Sequence, residues 1–261
     1  MPARPLVFIT GASSGIGRAL AERYHRAGWR LALVARRELE IKSWASAHQL
    51  SASSYQIYGA DVAQMDSIIA AGQACLQHQG LPDVVIANAG ISVGMDTAER
   101  ADLDVMARVF ATNNLGLAAT FHPFISAMTQ RGSGRLVGIG SVAGIRGLPG
   151  HGAYCASKAA VISYCESLRG ELRGSGVRVV TISPGYVDTP LTRENRYRMP
   201  FLMTPEAFAE SAFKAIETGS SYRVIPWQMG VAAKLLRLLP NPWFDRLLQG
   251  RPRKHRQPPS S

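Results

Sequence analysis

Short apolar runs recur along the chain at Leu6–Thr10, Arg30–Ala35, Ser54–Tyr58, Val84–Ala87, Arg135–Ile139, Arg178–Ser183 and Tyr222–Ile225. Their length and their Val, Ile, Leu and aromatic content are those of strands buried on both faces. Between most of them lie segments of helical composition: Gly15–Ala27, Arg37–His48, Gln64–Gln79, His151–Arg173 and Pro205–Thr218. Strand alternating with helix implies right-handed crossovers and a mostly parallel sheet with helices on both faces. Such sheets take ligands at the carboxyl ends of their strands, so functional residues are expected just after each run.

A chain of 261 residues is long for one core and short for two. The alternation predicts a single doubly wound α/β domain of Rossmann type over residues 1–226, with a seven-stranded sheet. An amphipathic extension follows over 227–248 and a basic, disordered tail over 249–261. Hydrophobic residues make up 46% and charged residues 18%, which fits a folded protein. Cys75, Cys155 and Cys165 have neither even number nor C-x-x-C spacing, so they read as reduced thiols, and no metal site is expected. The N-terminus lacks a signal-peptide pattern, and the expectation is a cytoplasmic protein.

The net charge of +11 is uneven. From Tyr222 to Ser261, eight Lys and Arg stand against Asp245 alone, a net +7 that leaves +4 for the rest. That final cluster has no interleaved aromatics, so nucleic acid is not expected as a partner.

The first run leads into Thr10-Gly11-Ala12-Ser13-Ser14-Gly15-Ile16-Gly17 and then a helix. Glycines let backbone turn tightly against a pyrophosphate, whose charge meets free N–H groups at the helix start. After the second run, Ala35 stands where an acid would hold a ribose 2′-hydroxyl, and Arg36 and Arg37 follow. Guanidiniums suit a 2′-phosphate, so NADP(H) is expected rather than NAD, with one of the two arginines facing solvent.

Tyr154 and Lys158 stand four apart, on one face of the expected helix. An ammonium beside a phenol lowers its pKa toward the working pH of a general acid/base. The spacing by itself favours surface packing over catalysis, since it occurs by chance in many helices.

The T-G-x-x-x-G-x-G form of the loop, with Tyr154-x-x-x-Lys158 and Ser141 thirteen residues before Tyr154, resembles the short-chain dehydrogenase/reductase family. The resemblance covers Leu6 to about Ile225. It implies that Ser141 holds the substrate oxygen and that Asn113, in Asn113-Asn114-Leu115-Gly116, supports a proton route to Lys158; motif register favours Asn113 over Asn114. It further implies that Asp61 and Val62 contact adenine and that Asn88-Ala89-Gly90 forms the family's N-A-G turn, although Ala87 departs from the usual N-N-A-G. Pro184, Gly185, Val187 and Thr189 would line the nicotinamide end, Thr189 meeting the carboxamide, with Ser183 where N-P-G is usual. The implied chemistry is hydride transfer between nicotinamide and a small carbonyl or alcohol substrate, with Tyr154 protonating the developing alkoxide and Lys158 also binding the nicotinamide ribose. A homodimer or homotetramer is expected. The contrasting reading is a nucleotide-binding scaffold without catalysis, which loss of Tyr154 or Lys158 would have marked.

After this stretch a variable lid is expected near Thr189–Thr204, where Arg193, Arg196 and Arg198, interleaved with Tyr197, Met199 and Phe201, are read as solvated. In Trp227–Leu239, Val231, Ala232, Leu235, Leu236 and Leu239 share a helical face opposite Lys234 and Arg237. The segment is too short to cross a bilayer. Packing on the body, packing on a partner subunit and peripheral contact with an anionic membrane surface all stay open.

Overall fold

Leu6, Val7, Phe8, Ile9 and Thr10 form β1 (Leu6–Thr10), and all five are buried. Side chains alternate across a strand, so burial on every position requires cover on both faces. In the computed structural model, which describes residues 4–193, 195, 198–250, 254 and 256, that cover is a double layer of helices. Val7 and Ile9 pack into one cluster with Leu20, Ile41 and Phe208. Leu6 and Phe8 pack into another with Ile68, Phe121 and Val161.

Beside β1 lie β2 (Arg30–Ala35) and β3 (Tyr55–Gly59) on one side, and β4 (Val84–Ala87), β5 (Gly134–Ile139), β6 (Val177–Pro184) and β7 (Tyr222–Ile225) on the other. The sheet order is β3-β2-β1-β4-β5-β6-β7. Every pairing is parallel. The expected seven-stranded architecture is therefore present, with strand ends shifted by no more than one residue.

The helices are α1 (Gly15–Arg26), α2 (Glu38–Ala47), α3 (Met65–His78), α4 (Arg100–Phe110), α5 (Gly116–Arg131), α6 (Gly152–Glu171), α7 (Pro190–Arg193), α8 (Pro205–Glu217), α9 (Trp227–Leu238) and α10 (Asn241–Leu248). α4 and α5 occupy the one long stretch for which the hydrophobic pattern named no element. α5 does carry a helical stripe, Leu117, Phe121, Phe124 and Met128, all buried. Pro123 inside it obscures the pattern, and its ring sits against Gly72 of α3, where a Cβ would come within 2.7 Å.

The strand order switches sides between β1 and β4, since β2 and β3 are added on one side of β1 and β4 onward on the other. Thr10 ties the two ends together there. Its Oγ1 accepts from the Asn88 N–H at 3.0 Å and the Ala89 N–H at 3.2 Å, while Asn88 Nδ2 donates to the Thr10 carbonyl at 2.9 Å. This crevice is where an open α/β sheet binds a ligand.

Arg196 and Tyr197 of the expected lid, and most of the tail expected to be disordered, lie outside the described residues. Lys254 and Arg256 are described, and they fold back over the body rather than extending from it. Arg256 bridges to Gly94 in a parallel pairing, and its Nε donates to the buried Asp102 carboxylate at 2.6 Å.

Candidate active site

A cavity of about 860 Å³ runs across the carboxyl ends of the strands. It is lined by the β1–α1 loop at one end and by Ser141, Tyr154 and Lys158 at the other. Of the residues expected to be catalytic or to hold the cofactor, all but Gly17 and Asn113 line its wall.

Gly11 and Gly15 adopt φ of +68° and +54°, a left-handed backbone that a side chain disfavours. Gly17 has a different constraint, because a Cβ there would run into the Gly11 carbonyl oxygen. It sets how closely α1 approaches the loop. Ser14 at the start of α1 makes no side-chain cap, so the first-turn N–H groups keep no donor-to-side-chain bond of their own. Free donors at a helix start, reached by a loop without Cβ bulk, fit a pyrophosphate.

Beyond β2 the two arginines diverge. Arg37 Nη2 donates to Ser13 Oγ at 3.2 Å and to Ser14 Oγ at 3.1 Å, so its guanidinium leans over the glycine loop. Arg36 instead pairs with Asp61 at 3.5 Å. Both side chains are more than half exposed, Arg36 at 69% and Arg37 at 60%. Asp61 also shapes its own turn, with Oδ1 accepting from the Ala63 N–H at 3.0 Å. Val62 is buried beneath it, against Gly116.

Asn113 sits in a single π turn, Ala111–Leu115, that joins α4 to α5. Such turns insert one extra residue and re-aim a side chain. Its Oδ1 accepts from the Ile91 N–H at 2.9 Å, and its Nδ2 donates to the Ile91 carbonyl at 3.0 Å and to Ser157 Oγ at 2.9 Å. The neighbouring Asn114 donates to the Ser157 carbonyl at 2.8 Å. Both asparagines therefore pin the loop after β4 or α6, and Asn113 and Lys158 both approach Gly90, where an added Cβ would touch Asn113 Oδ1 at 3.2 Å and Lys158 Nζ at 3.5 Å.

Lys158 is buried on α6 and donates to the Ile139 carbonyl at 2.8 Å. Burial lowers its pKa to about 8. Its ammonium lies 5.9 Å from the centre of the Tyr154 ring. Burial pushes the Tyr154 phenol up, opposed by its hydrogen bond with Ser141. The expected lowering by Lys158 is absent, because the ammonium is turned to a backbone carbonyl and desolvation dominates. Ser141 caps the turn Val142–Gly144, its Oγ accepting from the Ala143 N–H at 3.1 Å.

The remaining wall follows β6. The Gly185 N–H donates to the Ile225 carbonyl at 2.7 Å, and Met229 of α9 closes on Gly185, so Pro184–Gly185 is braced from behind. Val187 bridges to Met203, and Thr189 is buried with its methyl near Gly15. Arg193 pairs with Asp188 at 2.9 Å instead of entering the cavity.

Arg108, Ser92 and Leu191 also line the cavity and were not marked by sequence. They lie outside the strand-end motifs, and only packing brings them there. Lys254 Nζ reaches two of them, donating to Ser92 Oγ at 3.0 Å and to the Leu191 carbonyl at 3.3 Å.

A family model described as short chain dehydrogenase matches residues 5–199. The chain is similar to a Myxococcus xanthus protein described as an uncharacterized oxidoreductase, at 39% identity over 91% of this chain and 93% of that one. It is also similar to a sulfoacetaldehyde reductase of Chromohalobacter salexigens, at 33% identity over 79% of this chain and 86% of that one. Among solved structures, a short-chain dehydrogenase from Sphingobium yanoikuyae in complex with NADPH superposes with a TM-score of 0.76 and 26% identity, covering 91% of this chain and 97% of that one.

Proposed function

The chain belongs to the short-chain dehydrogenase family of oxidoreductases, and from that premise we propose that it is an NADPH-dependent reductase of small carbonyl compounds. One observation carries the reading. Ser141, Tyr154 and Lys158 gather at one end of a cavity whose other end places Arg37 over Ser13 and Ser14, with Ala35 where a carboxylate would repel phosphate.

Ser13, Ser14, Gly15 and Ile16 would hold the pyrophosphate, and Arg37 the 2′-phosphate. Asp61, Val62 and Asn88 to Gly90 would line the adenosine half, and Pro184, Gly185, Val187 and Thr189 the nicotinamide half. NADPH, when bound, supplies the hydride. The protein's own residues position the carbonyl and handle the proton.

Ser141 donates to the carbonyl oxygen, which orients it and polarises the bond. Tyr154 then delivers its proton to that oxygen as negative charge develops. A phenol with a raised pKa suits this direction, because it holds its proton at neutral pH and an alkoxide is a far stronger base than phenolate. Lys158, charged below about pH 8, supplies positive charge beside the phenolate left behind. Asn113 is a positioning residue, fixing the Ile91 backbone and the Ser157 hydroxyl around the lysine. The fall in NADPH absorbance against a panel of aldehydes and ketones tests the whole reading. Wild type should turn over at least one of them, and Tyr154→Phe should lose roughly 10²- to 10⁴-fold in kcat. Undiminished turnover in that variant, or alcohol oxidation with NAD far outpacing carbonyl reduction with NADPH, would overturn it.

A further inference from the structure

Sixteen large apolar side chains are exposed among the described residues, and six of them crowd into α9 and α10. In α9 they are Trp227, Val231, Leu235 and Leu238, spaced four, four and three apart, which places them on one face. Trp227 is 68% exposed, Leu235 64% and Leu238 80%. In α10, Trp243 at 71% and Leu247 continue the surface. Monomers rarely leave apolar area of this extent uncovered without a partner for it.

The body does not cover this face, because the body takes the other one. Met229, Gly230 and Ala233 form the buried seam of α9, with Gly230 on Val224 of β7 and Met229 on Gly185. The two helices are also locked to each other. Arg146 donates to the carbonyls of Leu236 and Leu239 and, at 3.0 Å, to Asn241 Oδ1, while its guanidinium lies 3.7 Å above the Phe244 ring. The apolar edge is therefore a preset surface.

Charge decides among the occupants. Lys234, Arg237 and Arg246 stand exposed along the edge, with Asp245 the one exposed acid in the two helices. A contact with a second copy of this face would bring together two surfaces of net positive charge, three exposed cations against one acid on each. Residues after Leu248 carry no large apolar side chain, so the tail is no match for the surface either. Trp and Leu on a face rimmed by Lys and Arg are the composition that sits at the headgroup level of an anionic bilayer. No described helix is long and apolar enough to cross a membrane, so contact is in the interface plane.

We propose that α9 and α10 form a peripheral docking surface for anionic lipid, with Trp227, Leu235, Leu238 and Trp243 inserted below the headgroups and Lys234, Arg237 and Arg246 on their phosphates. Since Met229 on the inner seam abuts Gly185 of the active-site wall, docking sets that end of the cavity about one helix width, roughly 10 Å, from the lipid surface.

Co-sedimentation of the full chain with phosphatidylcholine vesicles, alone or mixed with phosphatidylglycerol, is the test. Wild type should pellet with the mixed vesicles, less so in high salt, and stay in solution with phosphatidylcholine alone. Tryptophan emission should shift to the blue on binding, because Trp29 and Trp44 are already buried and Trp227 and Trp243 are not. The variant Trp227→Ser/Leu235→Ser/Leu238→Ser/Trp243→Ser should lose partitioning at least tenfold at an unchanged thermal transition, and Lys234→Glu/Arg237→Glu should lose it for the mixed vesicles without touching the apolar face. Wild type remaining in solution with both vesicles overturns the proposal, as does equal pelleting of the charge variant. So does a serine variant that merely converts a dimer to a monomer by light scattering, since the occupant is then a second copy.

Discussion

The glycine loop at Gly11–Gly17 and the α9–α10 edge present opposite kinds of surface. In the loop the backbone faces the cavity: left-handed glycines and an approach too close for a Cβ leave N–H groups, not side chains, as the recognition element. In α9 and α10 it is large side chains that face outward. A site made of backbone is sensitive to any added atom. A site made of side chains is sensitive to their removal, and only when its partner is present.

Substitutions in the two regions should therefore diverge. The largest effect is expected at Gly17→Val, where the new side chain meets the Gly11 carbonyl; overpacking of this kind costs about 1–3 kcal/mol of stability, and nucleotide binding followed by NADPH fluorescence should be lost. Retained affinity would mean that the loop tolerates displacement from α1.

Lys158→Met comes next. Burial holds the folded pKa at about 8, whereas an unfolded lysine titrates near ~10.4. Between those values the unfolded chain binds more protons, so this group makes stability rise with pH across the window, by up to about 3 kcal/mol. Below about pH 8 both states are protonated and the group contributes no slope. The variant should lack that rise. Urea midpoints from pH 7 to 10 must be compared as differences from wild type, because the buried Cys75, Cys155 and Cys165 thiols are raised by burial and pull stability down at the alkaline end.

Arg37→Ala should weaken NADPH by roughly 10- to 100-fold, the worth of about 1.5–3 kcal/mol for a charged hydrogen bond, and leave NADH nearly unchanged. Equal loss for both nucleotides would move the 2′-phosphate contact elsewhere. Trp227→Ser should be the smallest, within about ±0.5 kcal/mol of wild-type stability without lipid. A larger loss would show that this face is packed in solution.

Much of this was legible beforehand. The inner strands, mostly buried on both faces, announce themselves as short apolar runs, whereas the partly exposed edge strands β3 and β7 are read from their Tyr, Ile and Val content. Motif residues that follow strands inherit their position from the sheet, so Gly11, Asn88, Ser141 and Gly185 arrive at one cavity from four separate crossovers. α5 was concealed by Pro123, a residue that ordinarily ends a helix and here fills the space above Gly72.

By itself the sequence determined the α/β alternation, the glycine loop, the missing acid at Ala35 and the helical spacing of Tyr154 and Lys158, all set by neighbours close in the chain. Only the tertiary structure decided which groups meet across it. It turned Lys158 toward Ile139 and left Tyr154 with a raised pKa, because desolvation depends on everything packed around a group. It sent Arg37 to Ser13 and Ser14 but Arg36 to Asp61, and it brought Lys254 back to Ser92. It buried the Met229 seam of α9, so that Trp227, Leu235 and Leu238 face outward.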